Sequence, residues 1–121
     1  MNNSVVWVDI PVAKLDRAIA FYSAMLGQVV EKESGPGFSF GLLPHAEVGG
    51  CLVEATADSQ PSRTGALVYL NAEGRLAQAL DAVKAQGGQV LQDTHPIGPH
   101  GWRAIVLDSE GNRIALHSMS A

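Results

Sequence analysis

Residues 15–30, LDRAIAFYSAMLGQVV, and residues 76–91, LAQALDAVKAQGGQVL, carry one pattern twice. A shift of 61 positions places Leu15 on Leu76, Ala18 on Ala79, Ile19 on Leu80, Tyr22 on Val83 and Gly27-Gln28-Val29-Val30 on Gly88-Gln89-Val90-Leu91. An internal repeat decides the architecture before any single element does. Within each copy the apolar residues recur at helical spacing and stop at glycine, which predicts amphipathic helices over about 14–26 and 74–86.

Working outward, a β-branched and aromatic run precedes each helix, Val5 to Ile10 and Ala66 to Asn71. Three strand-like runs follow each helix, over about 28–34, 37–43 and 49–55, then 89–94, 102–107 and 112–117. Gly35-Pro36-Gly37, Pro44-His45, Gly98-Pro99 and Ser109-Glu110-Gly111-Asn112 supply the turns between them, and Gly49-Gly50 reads as a bulge or a tight backbone approach. Each half is therefore β-α-β-β-β, too short to bury a good core alone. The expected fold is α+β. Two paired β-α-β-β-β modules form a curved, cup-shaped mixed sheet with the helices on its outer face. The whole chain, 1–121, reads as one domain, with module 1 over about 4–56, a polar linker over 57–64 and module 2 over 65–118.

Composition narrows the function. The chain has 121 residues, eight Lys and Arg against twelve Asp and Glu, a net charge of −4 and 46% hydrophobic residues. That balance supports a packed core and lacks the basic stripe that nucleic acid requires. The N-terminal MNNSVVWVDIPV has neither a basic start nor a long apolar segment, so neither a signal peptide nor a membrane span is expected, and the chain reads as cytoplasmic. The single cysteine, Cys51, cannot close an internal disulfide or build a thiolate zinc cluster. It reads as a small hydrophobe, since no histidine adjoins it.

Strand alternation assigns faces. Val6, Val8 and Ile10 go to the helix side, as do Ala66, Val68 and Leu70, and Ile114 and Leu116. The helix-free face then collects Trp7, Asp9, Tyr69, Asn71, Arg113 and His117, the candidate ligand-binding set. His117 suits an anion contact or proton shuttle, or else a bond to a neighbouring backbone carbonyl. Asp9 either works as a free acid or bonds Arg113 or a backbone turn, and Asn71 either orients a ligand or caps the second helix. Phe38, Phe40 and Trp102 could line a flat ligand with Trp7, although strand aromatics, these two phenylalanines included, are mostly core. The segment His95 to Trp102, rich in glycine and proline, is placed to close over a ligand. No phosphate loop, nucleophile elbow or dinucleotide fingerprint is present.

The duplicated module, the segment VVWVDIPVAKLDRAIAFYSAMLG and the closing GALVYLNAEG and LDSEGNRIALHS resemble small bacterial members of the vicinal oxygen chelate superfamily. That group includes glyoxalase I, extradiol dioxygenases, fosfomycin resistance enzymes and bleomycin resistance proteins. The resemblance implies a cup built from both modules, and in the group's enzymes a divalent metal held by four His or Glu ligands from the first and last strands of each module. In this chain the four positions fall on Trp7, on Leu67 or Val68, on Ala115, and near Cys51 or Val53. None is a hard ligand, so no metal cofactor is expected. The resulting expectation is a metal-free cup that binds a small organic ligand and is completed as a homodimer. Two alternatives stand beside it. One is a lyase or dioxygenase with a displaced metal site built from His117, Asp9 and His45 or His100. The other is a drug-sequestering resistance protein with an acidic, aromatic groove.

Overall fold

The computed structural model describes residues 3–121; Met1 and Asn2, where the N-terminal reading begins, lie outside it. The order is β1 (Trp7–Val12), α1 (Leu15–Leu26), β2 (Glu31–Gly35), β3 (Phe38–Leu42), β4 (Gly49–Glu54), β5 (Val68–Asn71), α2 (Leu76–Ala85), β6 (Gln89–Pro96), β7 (Trp102–Leu107) and β8 (Arg113–Ser118), with a single 3-10 turn at Gly98–His100. Every expected element is present in the expected order. The mixed sheet takes the form of two four-stranded sheets, β1-β4-β3-β2 and β5-β8-β7-β6, one from each module. In both, the first strand runs parallel to the last and the remaining pairs are antiparallel.

Boundary shifts have local causes. The first strand begins at Trp7 rather than Val5, because its partner β4 begins opposite it at Gly49. Val6, assigned to the helix side, precedes the strand and is 71% exposed. The second helix begins two residues late, since Gly74 has φ +72° and stands outside any right-handed helix. Gly27 ends α1 in the left-handed conformation, its N–H bonded to Ser23 O. Gly50 proves to be a tight approach: a Cβ there would lie 2.5 Å from the Val8 carbonyl oxygen.

The two helices touch, and each also covers strands of its own sheet. Leu15, Ala18, Phe21, Tyr22 and Met25 of α1 join Leu76, Ala79, Leu80 and Val83 of α2, Leu52, Val106, Ile114 and Leu116 in one buried cluster. Neither module closes a core alone, so the repeat stands because the halves share one. Polar bonds reinforce this at the β7–β8 turn. Glu110 accepts from the Ala13 and Lys14 backbone N–H groups at 3.0 and 2.9 Å and from Arg17 at 2.7 Å, supplying the N-terminal cap that Lys14 itself lacks.

Candidate functional site

The helix-free face of the second sheet carries one polar row across all four strands. The ladders set Asn71 beside His117, His117 beside Arg103 and Arg103 beside His95. Their neighbours Leu116 and Ala104 are buried in the core on the other side, which holds the row on the open face. Arg103 is its centre: its Nε donates to His95 Nε2 at 3.0 Å, and its Nη1 donates to the Tyr69 hydroxyl. His95 Nδ1 bonds the Asp93 carbonyl at 2.8 Å, and His117 Nε2 bonds the His100 carbonyl at 2.6 Å. Carbonyls only accept, so His95 carries its proton on Nδ1 and offers Nε2 to Arg103 as a neutral acceptor. By the same argument His117 carries its proton on Nε2, leaving Nδ1 open.

No carboxylate balances Arg103. The side-chain ion pairs among the described residues are Arg17 with Glu110 and Lys32 with Asp16. The guanidinium is therefore a full positive charge held by neutral groups on a half-buried face.

The first sheet presents a different cluster. Asp9 sits beside Cys51 in the parallel β1–β4 ladder, and its Oδ1 accepts from Trp7 Nε1 at 3.2 Å and from Cys51 Sγ at 3.3 Å. Burial first, and then the Asp9 carboxylate, push the Cys51 thiol up, which keeps it protonated and unreactive. Trp7 stands edge-on to His45 with ring centres 6.1 Å apart. Phe38 and Phe40 stack with centroids 6.1 Å apart, and Phe38 is 54% exposed, so these two rings lie outside the core. Trp102 does the opposite and packs against the core.

Between the first strands of the two modules lies a cleft of about 770 Å³. Val8, Ile10, Leu26, Leu43, Val68 and Leu70 make its walls apolar, and His45, Tyr69, Asn71 and Gln28 add polar groups. Each of these two strands is hydrogen-bonded on one side only, so free backbone groups edge the cleft.

The six sequence-selected residues do not converge on one point. Tyr69 and Asn71 line the cleft and, with His117, surround or adjoin Arg103. Asn71 Oδ1 also accepts the Glu73 N–H at 2.8 Å, a turn that leads into α2 rather than a helix cap. Trp7 and Asp9 belong to the other sheet. Arg113 is turned to the linker, its Nε on Arg63 O at 2.9 Å and its Nη2 on Gly65 O at 3.4 Å, so it does not pair with Asp9. His95 and Pro96 extend β6, and the loop beyond them is tied down through the His100 carbonyl. Arg103 is the residue that the sequence reading misses; His95 enters it only as the start of the closing segment and His45 only as an alternative metal ligand. The alternation of Trp102, Ala104 and Val106 with Arg103, Ile105 and Leu107 carried the signal for Arg103.

The donor chemistry does not fit a divalent metal. Trp7, Leu67, Val68, Ala115 and Val53 have no ligating atom, which leaves Cys51 alone among these positions, and one thiol does not make a site. Among the described residues no three His, Cys, Asp or Glu side chains gather as a ligand set, so His117, Asp9, His45 and His100 do not assemble one either.

A family model described as Glyoxalase/Bleomycin resistance protein/Dioxygenase superfamily matches residues 4–116. No curated protein matches the chain in sequence. Among solved structures, a glyoxalase/bleomycin resistance protein from Albidiferax ferrireducens T118 superposes with a TM-score of 0.78 at 16% identity, covering 96% of this chain and 98% of that one. A glyoxalase/bleomycin resistance protein/dioxygenase family enzyme from Burkholderia phytofirmans PsJN gives 0.73 at 17% identity over 93% and 96% of the two chains. A genomically encoded fosfomycin resistance protein from Listeria monocytogenes gives 0.69 at 18% identity over 98% and 94%.

Proposed function

Because the chain belongs to the glyoxalase/bleomycin resistance protein/dioxygenase superfamily, we propose that it binds a small organic ligand between its two modules without the divalent metal of the group's enzymes. The cleft carries this reading. Its volume of about 770 Å³ suits a small molecule, and its apolar walls with a few polar groups are the usual composition of a ligand site. The absence of a fitting donor set supports the metal-free part. The reading places Tyr69 and Asn71 against the ligand, with Trp7 at the rim through its contact with His45 and with Asp9 and His117 flanking it. Arg113 holds the linker in place.

The test follows tryptophan emission while a panel of small aromatic and aliphatic metabolites is titrated. At least one compound is expected to shift the wild-type signal and leave Trp7→Phe, which retains only the core-packed Trp102, unchanged. A panel in which nothing alters the Trp7 signal overturns the reading.

A second copy of the chain is the proposed partner, in the cytoplasm. Val6, Trp7 and Phe38 leave large apolar side chains in solvent, more than a monomer gains from exposing. Sedimentation equilibrium is expected to give twice the 12.7 kDa chain mass, and Val6→Asp with Phe38→Asp is expected to halve it. A wild-type mass of one chain at every concentration counts against pairing. None of the described helices is long and apolar enough to cross a membrane.

A further inference from the structure

We infer that Arg103 and Tyr69 form an anion subsite at the side of the cleft, and that the ligand is a small organic carboxylate. This rests on the small-molecule reading above and adds the chemical class. Three observations carry it. First, Arg103 has no carboxylate within ion-pair reach among the described residues, so its charge is not neutralised internally. Second, its bonds to His95 and Tyr69 fix the guanidinium in place, while Nη2 has no partner there. Third, the Tyr69 oxygen accepts from Arg103, so the Tyr69 hydroxyl hydrogen is left to donate outward.

The two donors, Arg103 Nη2 and Tyr69 O–H, therefore belong to one preset group, and a carboxylate can accept from both. Tyr69 also lines the cleft, so an acid whose anionic end meets these donors can lay its apolar body against the cleft wall. Pre-positioned donors to a charged acceptor form the stronger class of hydrogen bond, and holding them in advance removes the ordering cost at binding. A neutral ligand in the same place would leave the Arg103 charge without a counterpart.

The experiment uses the full chain labelled with nitrogen-15 at constant ionic strength, because exposed charges are screened by salt. Benzoate, its neutral isostere benzamide, and inorganic phosphate are titrated separately, with the Arg103 Nε–H and Tyr69 amide signals followed. Benzoate is expected to bind at least about tenfold more tightly than benzamide. Arg103→Gln is expected to remove that preference and leave benzamide affinity unchanged. Tyr69→Phe, which keeps the ring and loses only the hydroxyl, is expected to lower benzoate affinity by about three- to tenfold. Equal binding of benzoate and benzamide to the wild type overturns the anion subsite and leaves the small-molecule reading standing, as does a preference that survives Arg103→Gln. Phosphate binding as tightly as benzoate overturns the organic-acid assignment. Neither fragment moving any cleft signal overturns both readings together.

Discussion

Asp108→Ala is expected to lower the unfolding free energy by about 3–5 kcal/mol, the range for stripping a buried polar network of its acceptor. Asp108 is 3% exposed and serves four donors: the Tyr22 hydroxyl at 2.6 Å, Asn112 Nδ2 at 3.0 Å, and the Glu110 and Asn112 backbone N–H groups at 2.8 Å. Tyr22 is fully buried on α1, so this one carboxylate fixes the β7–β8 turn and ties it to the first module. Alanine leaves the buried Tyr22 hydroxyl and the Asn112 N–H without their acceptor, strips the part-buried Glu110 N–H of its own, and leaves Asn112 Nδ2 with the Pro11 carbonyl alone. The same contact explains the Tyr22 hydroxyl, which burial first and the neighbouring Asp108 carboxylate second push well above the usual tyrosine range. Tyr22→Phe removes one donor and leaves the other three satisfied, so its expected cost is smaller, about 1–2 kcal/mol. Urea denaturation measures both, with an unchanged m-value showing that the folded state keeps its extent. An Asp108→Ala loss below about 1 kcal/mol would refute the account.

Glu110→Gln is expected to cost about 2–3 kcal/mol at pH 7 and almost nothing at pH 2. Burial alone would raise the Glu110 carboxyl, yet the hydrogen bond from Arg17, the Lys14 backbone N–H and Ser109 Oγ outweigh it and hold the group at about 2. The Glu110 side chain has 0% of its surface exposed while Arg17 is 46% exposed, so solvent screens the ion pair and the expected cost stays below the full worth of the shift. A carboxyl held below its unfolded value binds fewer protons folded than unfolded. Its stabilisation is therefore complete above the ordinary value near 4.5 and fades as the pH falls through that value towards 2. Glutamine keeps the shape without the charge, so the difference between the two unfolding curves isolates Glu110 from every other titrating acid. Stabilities measured from pH 7 to pH 2 should converge at the acid end. Parallel curves across that window would show that the charge at Glu110 contributes nothing.

Both predictions sit at Asp108 and the segment after it, Ser109-Glu110-Gly111-Asn112, which reads in sequence as an ordinary turn through its glycine and asparagine. That reading was correct and incomplete. Local chemistry specifies that the chain reverses there, but the acceptors of Glu110 and Asp108 meet donors about ninety residues away in the chain. No spacing rule covers such distances. Asn112 extends the same knot, with Nδ2 on Pro11 O at 2.8 Å and Oδ1 accepting from Ser62 N at 3.0 Å, so the turn joins both modules and the linker.

The candidate site divides along the same line. Alternation sent Tyr69, Asn71 and His117 to the open face, because a strand with one buried face fixes where every second side chain points. Arg113 obeys the same alternation yet reaches the linker, since a long flexible side chain goes where the nearest carbonyl acceptors lie. Phe38 stands in solvent with the half-buried Phe40 stacked on it, while Gly41, the next residue and on the opposite face of β3, lies against Ile19 of α1.

The sequence by itself determined the duplicated β-α-β-β-β modules, through a pattern repeated at one offset, and the helix stripes, the glycine stops and the faces of β1, β5 and β8, which are periodicities within a few residues of chain. Only the tertiary structure decided that the modules form two sheets around one shared core, that the β7–β8 turn caps the first helix, and that Arg103 stands between His95 and Tyr69 with no acid among the described residues to neutralise it. The reason is range: those features depend on strand register and on pairs separated by tens of residues, which are fixed when the two halves pack together.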